Sequence, residues 1–227
     1  MVYSARLELV TAFALDDVPH LSIYPTVHTE QDAVIVQVAQ TIDANPKTQE
    51  ALARLKDKTP GHFYHSLRVQ IMFRCLIQKE PTVQQHFPSH TLDVAGALHD
   101  YGKTETPDQV LEKTRRHTPT ERAIMRNHNE EGYNAPEIMA LDQEHYPGLR
   151  ELMIRHHDYP ARDPGHPLLE RAGVLLKIAD QYDALCSKKD YKPSWEERAV
   201  RAELSRLFPH DRGVLEHLCM HFPGSLF

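Results

Sequence analysis

Apolar side chains recur along most of this chain with the period of an α-helix. Residues 31–44 and 47–58 each separate an apolar from a polar face, and Asn45-Pro46 interrupts the pattern, so two amphipathic helices are predicted there. A third is predicted from near Gly61 to about Lys79, with His65, Val69, Met72 and Leu76 on one face. The next spans about Thr91 to Asp100 and stops at Gly102, a residue suited to the left-handed turn after a helix. Thr118-Pro119-Thr120-Glu121 reads as a capping box with proline at the first helical position, opening a helix that carries His128. Leu149, Leu152, Met153 and His156 follow the spacing i, i+3, i+4, i+7. A long helix is predicted from about Pro167 to Ser187, carrying Asp180, and Ser194-Trp195-Glu196-Glu197 is a second capping box that opens another. Residues 1–30 differ: SARLELVTAFAL and HLSIYPTV are short and β-rich, separated by Asp16-Asp17-Val18-Pro19, and suggest extended segments or a hairpin. There is no repeat, low-complexity tract or long linker. The expected fold is all-α, a helical bundle over residues 59–227 with an N-terminal appendage of extended segments and then helices over 1–58.

Composition narrows the function classes. A chain of 227 residues with 41% apolar content suits one domain with an appendage, or at most two small ones. Lysine and arginine number 26 against 32 acidic residues, and the resulting −6 argues against coating polymeric nucleic acid or an anionic membrane. No stretch approaches the roughly 18 apolar residues of a membrane span. The first residues lack the basic start and unbroken apolar run of a secretory signal, so a cytoplasmic location is expected. Cys75, Cys186 and Cys219 form no CxxC pair and read as reduced thiols. The 16 histidines raise the expectation of a metal site without locating it.

The pattern locates it. His65, the pair His99-Asp100, His128, the pair His156-His157 and Asp180 all fall where their helices should face the core. Asp180 is the sharpest case, lying between Gly173-Val174-Leu175-Leu176-Lys177-Ile178-Ala179 and Ala184-Leu185. A carboxylate buried there without a partner costs several kcal/mol or protonates, and a bound cation removes that penalty. Imidazoles mixed with carboxylates suit divalent iron, manganese, zinc, cobalt or nickel, whereas calcium and magnesium prefer all-oxygen shells. Seven ligands exceed one mononuclear site but suffice for two metals sharing a carboxylate, about 3.5–4 Å apart. Any one of these histidines alone reads more simply as a hydrogen-bonded core residue; the ordered set carries the inference.

The motifs resemble a known family. His65-Ser66-Leu67-Arg68-Val69 followed by Leu98-His99-Asp100-Tyr101-Gly102-Lys103 is similar to the opening signature of the HD superfamily of metal-dependent phosphohydrolases. Several later segments resemble its HD-GYP branch of cyclic dinucleotide phosphodiesterases, chiefly acting on cyclic di-GMP. These are Thr118–Glu121, Met125-Arg126-Asn127-His128, His156-His157-Asp158, Ala179-Asp180-Gln181-Tyr182-Asp183-Ala184-Leu185 and the segment Lys188–Trp195. The similarity covers roughly residues 60–222.

This resemblance implies an HD-domain helical bundle with two divalent transition metals, iron first among iron, manganese, nickel, cobalt and zinc. His65, His99, Asp100 and Asp180 would bind one metal, and Asp100 would bridge to a second held by His128, His156 and His157. A hydroxide between the metals would attack the phosphodiester. Lys103 resembles the lysine that meets the scissile phosphate, and Lys189 and Lys192 match positions that hold substrate phosphates. Asp183 and Arg68 would orient ligands or form an ordinary surface ion pair. The substrate would be a small cyclic dinucleotide, with no polymeric nucleic acid and no membrane. Residues 1–58 are too short for a full sensory domain, which leaves a homodimer contact or a docking element for a signalling partner. Against the branch pattern, GYP is represented only by Gly165-His166-Pro167, the 157–180 segment is shorter, Gly61 stands where some relatives place a third-metal glutamate, and Asp158 replaces a glutamate. Alternatives are an HD phosphohydrolase of another nucleotide, a di-iron oxygenase, and a non-catalytic nucleotide-binding regulatory module.

Overall fold

The computed structural model describes residues 29–111, 113, 115–157, 166–187 and 196–222. The first strand-like segments, and with them the predicted N-terminal hairpin, lie outside the described residues, as do Asp158, Gly165, Lys189 and Lys192. Among the described residues there are twelve α-helices, one 3-10 helix and no strand, as the all-α expectation required. They are α1 (Thr29–Asp43), α2 (Pro46–Lys58), α3 (Pro60–Ile77), α4 (Pro81–His86), α5 (Ser89–Leu98), the 3-10 helix (Tyr101–Glu105) and α6 (Asp108–Leu111). The remainder are α7 (Pro119–Asn134), α8 (Pro136–Glu144), α9 (Leu149–Ile154), α10 (Pro167–Cys186), α11 (Glu197–Leu207) and α12 (Arg212–His221). None is long and apolar enough to cross a membrane.

The axis of the bundle is α3, whose residues from Ser66 to Ile77 are all buried. A helix that is covered on every side must sit at the centre of its fold. It packs against α10 on one flank and α5 on the other, with α1, α2 and α12 also touching it. Phe63, Leu67, Phe73, Leu98, Leu175 and Tyr182 lie in this shared core, and α1 and α2 add Val38, Ile42, Leu52 and Leu55 to it. The α1–α3–α5 contact also holds a buried polar cluster: Thr41 donates to Asp93 at 3.1 Å, Gln70 donates to it at 3.2 Å, and Arg74 lies 3.4 Å away.

Local chemistry explains the helix starts. Asn45 accepts from the Lys47 and Thr48 amides at 2.9 and 3.3 Å, with Pro46 as the first helical residue of α2. Thr118 and Glu121 form the expected reciprocal capping box at α7, at 2.8 and 3.3 Å.

Three expectations are corrected. Gly102 does not end α5 in a left-handed turn; among the described residues only Gly148 has positive φ, at 86°. α5 ends at Leu98, and Gly102 lies inside the 3-10 helix, where a Cβ would stand 1.8 Å from the His128 carbonyl oxygen and 2.4 Å from the Gly132 nitrogen. Glycine is required there for close approach of two backbones. α9 stops at Ile154, so His156 occupies the turn beyond it rather than the helix face. Glu197 is the first residue of α11, not the third, with Glu196 at its cap, so the helix starts two residues later than predicted, and Ser194 lies outside the described residues.

Candidate metal centre

Six parts of the bundle meet at one point. α3 supplies His65, the turn after α5 supplies His99 and Asp100, and the 3-10 helix supplies Lys103. α7 supplies His128, the turn after α9 supplies His156 and His157, and α10 supplies Asp180 and Asp183. His65, His99 and Asp100 form one group and His128, His156 and His157 another, the ligand atoms within each lying within 4.8 Å of one another. Asp100, 2% exposed, joins the two. Its Oδ2 faces His65 Nε2 at 3.7 Å and His99 Nε2 at 3.6 Å, while its Oδ1 faces His128 Nε2 at 3.2 Å and His156 Nε2 at 3.7 Å.

The tautomers follow from the backbone. His99 Nδ1 lies 2.8 Å from the Gly96 carbonyl, His128 Nδ1 2.5 Å from that of Met125, and His156 Nδ1 2.5 Å from that of Met153. A carbonyl only accepts, so each Nδ1 carries the proton and each Nε2 presents a bare lone pair. Those lone pairs point at a carboxylate and at each other: His128 Nε2 and His156 Nε2 are 3.3 Å apart, and His99 Nε2 is buried without a hydrogen-bond partner. Lone pairs converging in a desolvated space repel unless a cation sits among them. The donor set of imidazoles and carboxylates, without a described thiolate, fits divalent transition metals.

His65 is bound differently. Its Nδ1 lies 2.7 Å from Asp183 and its Nε2 3.0 Å from Asp180. Asp183 is fully buried and held by Arg68 through Nε at 2.7 Å and Nη2 at 2.9 Å, with the Ser187 hydroxyl donating at 3.2 Å. The Arg68–Asp183 pair is therefore a buried support for a candidate ligand, not a surface ion pair.

Protonation reflects these surroundings. Burial alone would depress His65, but the Asp180 and Asp183 carboxylates outweigh it and raise the imidazole to about 8. Burial pushes His157 down to about 4, and holds His99 and His156 below the usual histidine range. Burial opposes ionisation of Asp100, yet Lys103 and the neighbouring histidines keep it well below the usual carboxylate range. Lys103 Nζ reaches Asp100 Oδ2 at 2.5 Å and is 11% exposed. Neutral imidazoles at His99, His156 and His157, together with ionised carboxylates, are the forms that bind metal.

Of the residues singled out in the sequence, His65, His99, Asp100, Lys103, His128, His156, His157 and Asp180 are brought together, whereas Lys189 and Lys192 lie outside the described residues. His62, close in sequence to His65, pairs with the Thr59 hydroxyl at 2.8 Å instead of joining them. Ser187 was not anticipated; its position four residues after Asp183 on a helix was the available signal.

The profile of the HD domain family matches residues 62–185. A cyclic di-GMP phosphodiesterase of Vibrio cholerae is 29% identical over 73% of this chain and 36% of its own. A cyclic di-GMP phosphodiesterase of Pseudomonas aeruginosa is 27% identical over 71% of this chain and 39% of its own. A 3'3'-cGAMP-specific phosphodiesterase of Vibrio cholerae is 34% identical over 48% of this chain and 22% of its own. The chain thus spans well under half the length of these relatives.

Proposed function

This chain belongs to the HD domain family, and from that premise we propose that it is a metal-dependent phosphodiesterase of a cyclic dinucleotide, cyclic di-GMP first. The observation that carries the reading is the convergence of three backbone-fixed imidazole lone pairs on the two oxygens of one buried carboxylate. His65, His99, Asp100 and Asp180 would hold one divalent transition metal, and His128, His156, His157 and the other oxygen of Asp100 a second, with iron the leading candidate. Bound there, such metals supply a water activated at neutral pH and positive charge opposite the phosphoryl oxygens.

The chain's own residues do the rest. Asp100 fixes the distance between the two groups. Asp183, locked by Arg68, keeps the His65 ring turned so that its Nε2 faces the site. Lys103 lies at the rim, where its ammonium can turn from Asp100 to a phosphoryl oxygen whose charge grows in the transition state. Lys189 and Lys192 would hold the other phosphate of the ring.

The 3'3'-cGAMP-specific relative keeps a mixed guanine–adenine dinucleotide in view. Incubating the metal-loaded protein with cyclic di-GMP and with 3'3'-cGAMP, and separating the products by chromatography, tests both. Linear or mononucleotide product from either supports the reading. Two bound metals with both rings intact would overturn it and direct the search to other nucleotides.

A further inference from the structure

Arg54 lies on α2, before the residues matched by the family profile, yet its guanidinium reaches the short segment that carries Lys103. We propose that Arg54 is a positioning residue: by tying the 3-10 helix to α2 and α8 it holds Lys103 in place for the phosphodiester chemistry proposed above, on which this inference rests.

The segment needs such a tie. A five-residue 3-10 helix has poor hydrogen-bond geometry and little stability of its own. Its backbone is closed by the Lys103 amide on the Asp100 carbonyl at 2.9 Å and the Thr106 amide on the Lys103 carbonyl at 3.1 Å. On one side Gly102 rests against the backbone of α7. On the other, Arg54 Nη2 donates to Glu105 at 2.6 Å, and Nη1 donates to the Tyr101 hydroxyl at 3.4 Å and to Glu137 of α8. Thr104 donates to the same Glu105 oxygen at 3.3 Å. Tyr101 directly follows Asp100 and Glu105 lies two residues past Lys103, so the fork brackets the lysine from both sides. A planar guanidinium with fixed donors can do this; an ammonium cannot span the same acceptors.

The arrangement separates local order from overall stability. Arg54, Glu105 and Glu137 are 48, 49 and 43% exposed, and ion pairs this exposed contribute little to global folding. Misplacing a catalytic group by about 1 Å can nevertheless cost on the order of a hundredfold in rate.

The test combines amide hydrogen exchange, metal analysis and kinetics on the full chain for Arg54→Ala, Arg54→Lys and Glu105→Gln. In Arg54→Ala the Lys103 and Thr106 amides should exchange about tenfold faster or more, while α3 and α10 keep wild-type protection. Metal content should match wild type, kcat on cyclic di-GMP should fall by about ten- to a hundredfold, and KM should change little. Glu105→Gln should show the same local signature, and Arg54→Lys a partial recovery. Unchanged exchange at Lys103 and Thr106, or faster exchange throughout the chain, would overturn the positioning role. Exchange is read on the protein alone, so an inactive wild type would sink the proposed reaction instead, and the two failures are distinguishable.

Discussion

His99, His128 and His156 each commit Nδ1 to the carbonyl three residues earlier, leaving Nε2 bare inside the protein. Groups placed for binding rather than folding have a recognisable energetic signature. Replacing His99 with Leu removes a buried, unpartnered nitrogen, so the metal-free protein should keep its stability to within about 1 kcal/mol, whereas a metal equivalent is lost. Urea unfolding with elemental analysis of the same sample checks this; large destabilisation without metal would mark His99 as a core residue. Arg68 is the opposite case. Arg68→Met strands the fully buried Asp183 and should destabilise the metal-free protein by about 3–5 kcal/mol. The pH dependence has a defined sign. Asp183 is depressed in the fold, so its stabilisation is present above the unfolded value near 4 and fades as pH falls through the lower folded value. His65 is raised to about 8, so its contribution is full below the unfolded value near 6.5 and is lost as pH rises through about 8. Metal-free protein should therefore be most stable between these limits, which thermal melts across pH will read.

At the scale of elements, the decisive contact is between the 3-10 helix and α7. Gly102→Ala places a methyl against the His128 carbonyl, which cannot yield without moving a candidate ligand. A loss of about 1–3 kcal/mol is expected, with weakened metal retention, in thermal melts and elemental analysis. A melting temperature equal to wild type would contradict the close packing. This glycine also shows what sequence could convey. Capping at Thr118 was legible because it is a local bond between residues a few positions apart. The glycine's reason was not, because a turn and a close backbone approach select the same residue, and only the partner helix distinguishes them. The end of α9 was hidden for a similar cause: His156 continues the apolar period past Ile154 because a packed turn also buries it.

Over the whole molecule, the fold class and the site were legible for one reason: the candidate ligands recur in order on elements that must all face the same core. The separated motifs, taken in order, made the set specific where each histidine alone had a plainer reading. What stayed hidden is long-range, namely the buried Thr41–Gln70–Asp93 cluster between α1, α3 and α5 and the reach of Arg54 from α2 to the 3-10 helix. Pairings across tens of residues leave no period in a sequence. The family resemblance adds two lysines beyond the described residues, and Lys189→Ala with Lys192→Ala should raise KM for a cyclic dinucleotide severalfold with metal content intact; unchanged kinetics would remove both from the substrate site. The account as a whole turns on Asp100 serving two metals at once. Elemental analysis of wild type and Asp100→Ala, both purified without chelator and reconstituted alike, addresses that directly. Two transition-metal equivalents in the wild type and neither in the variant is the predicted result. No metal in the wild type, or two equivalents retained by the variant, would contradict it.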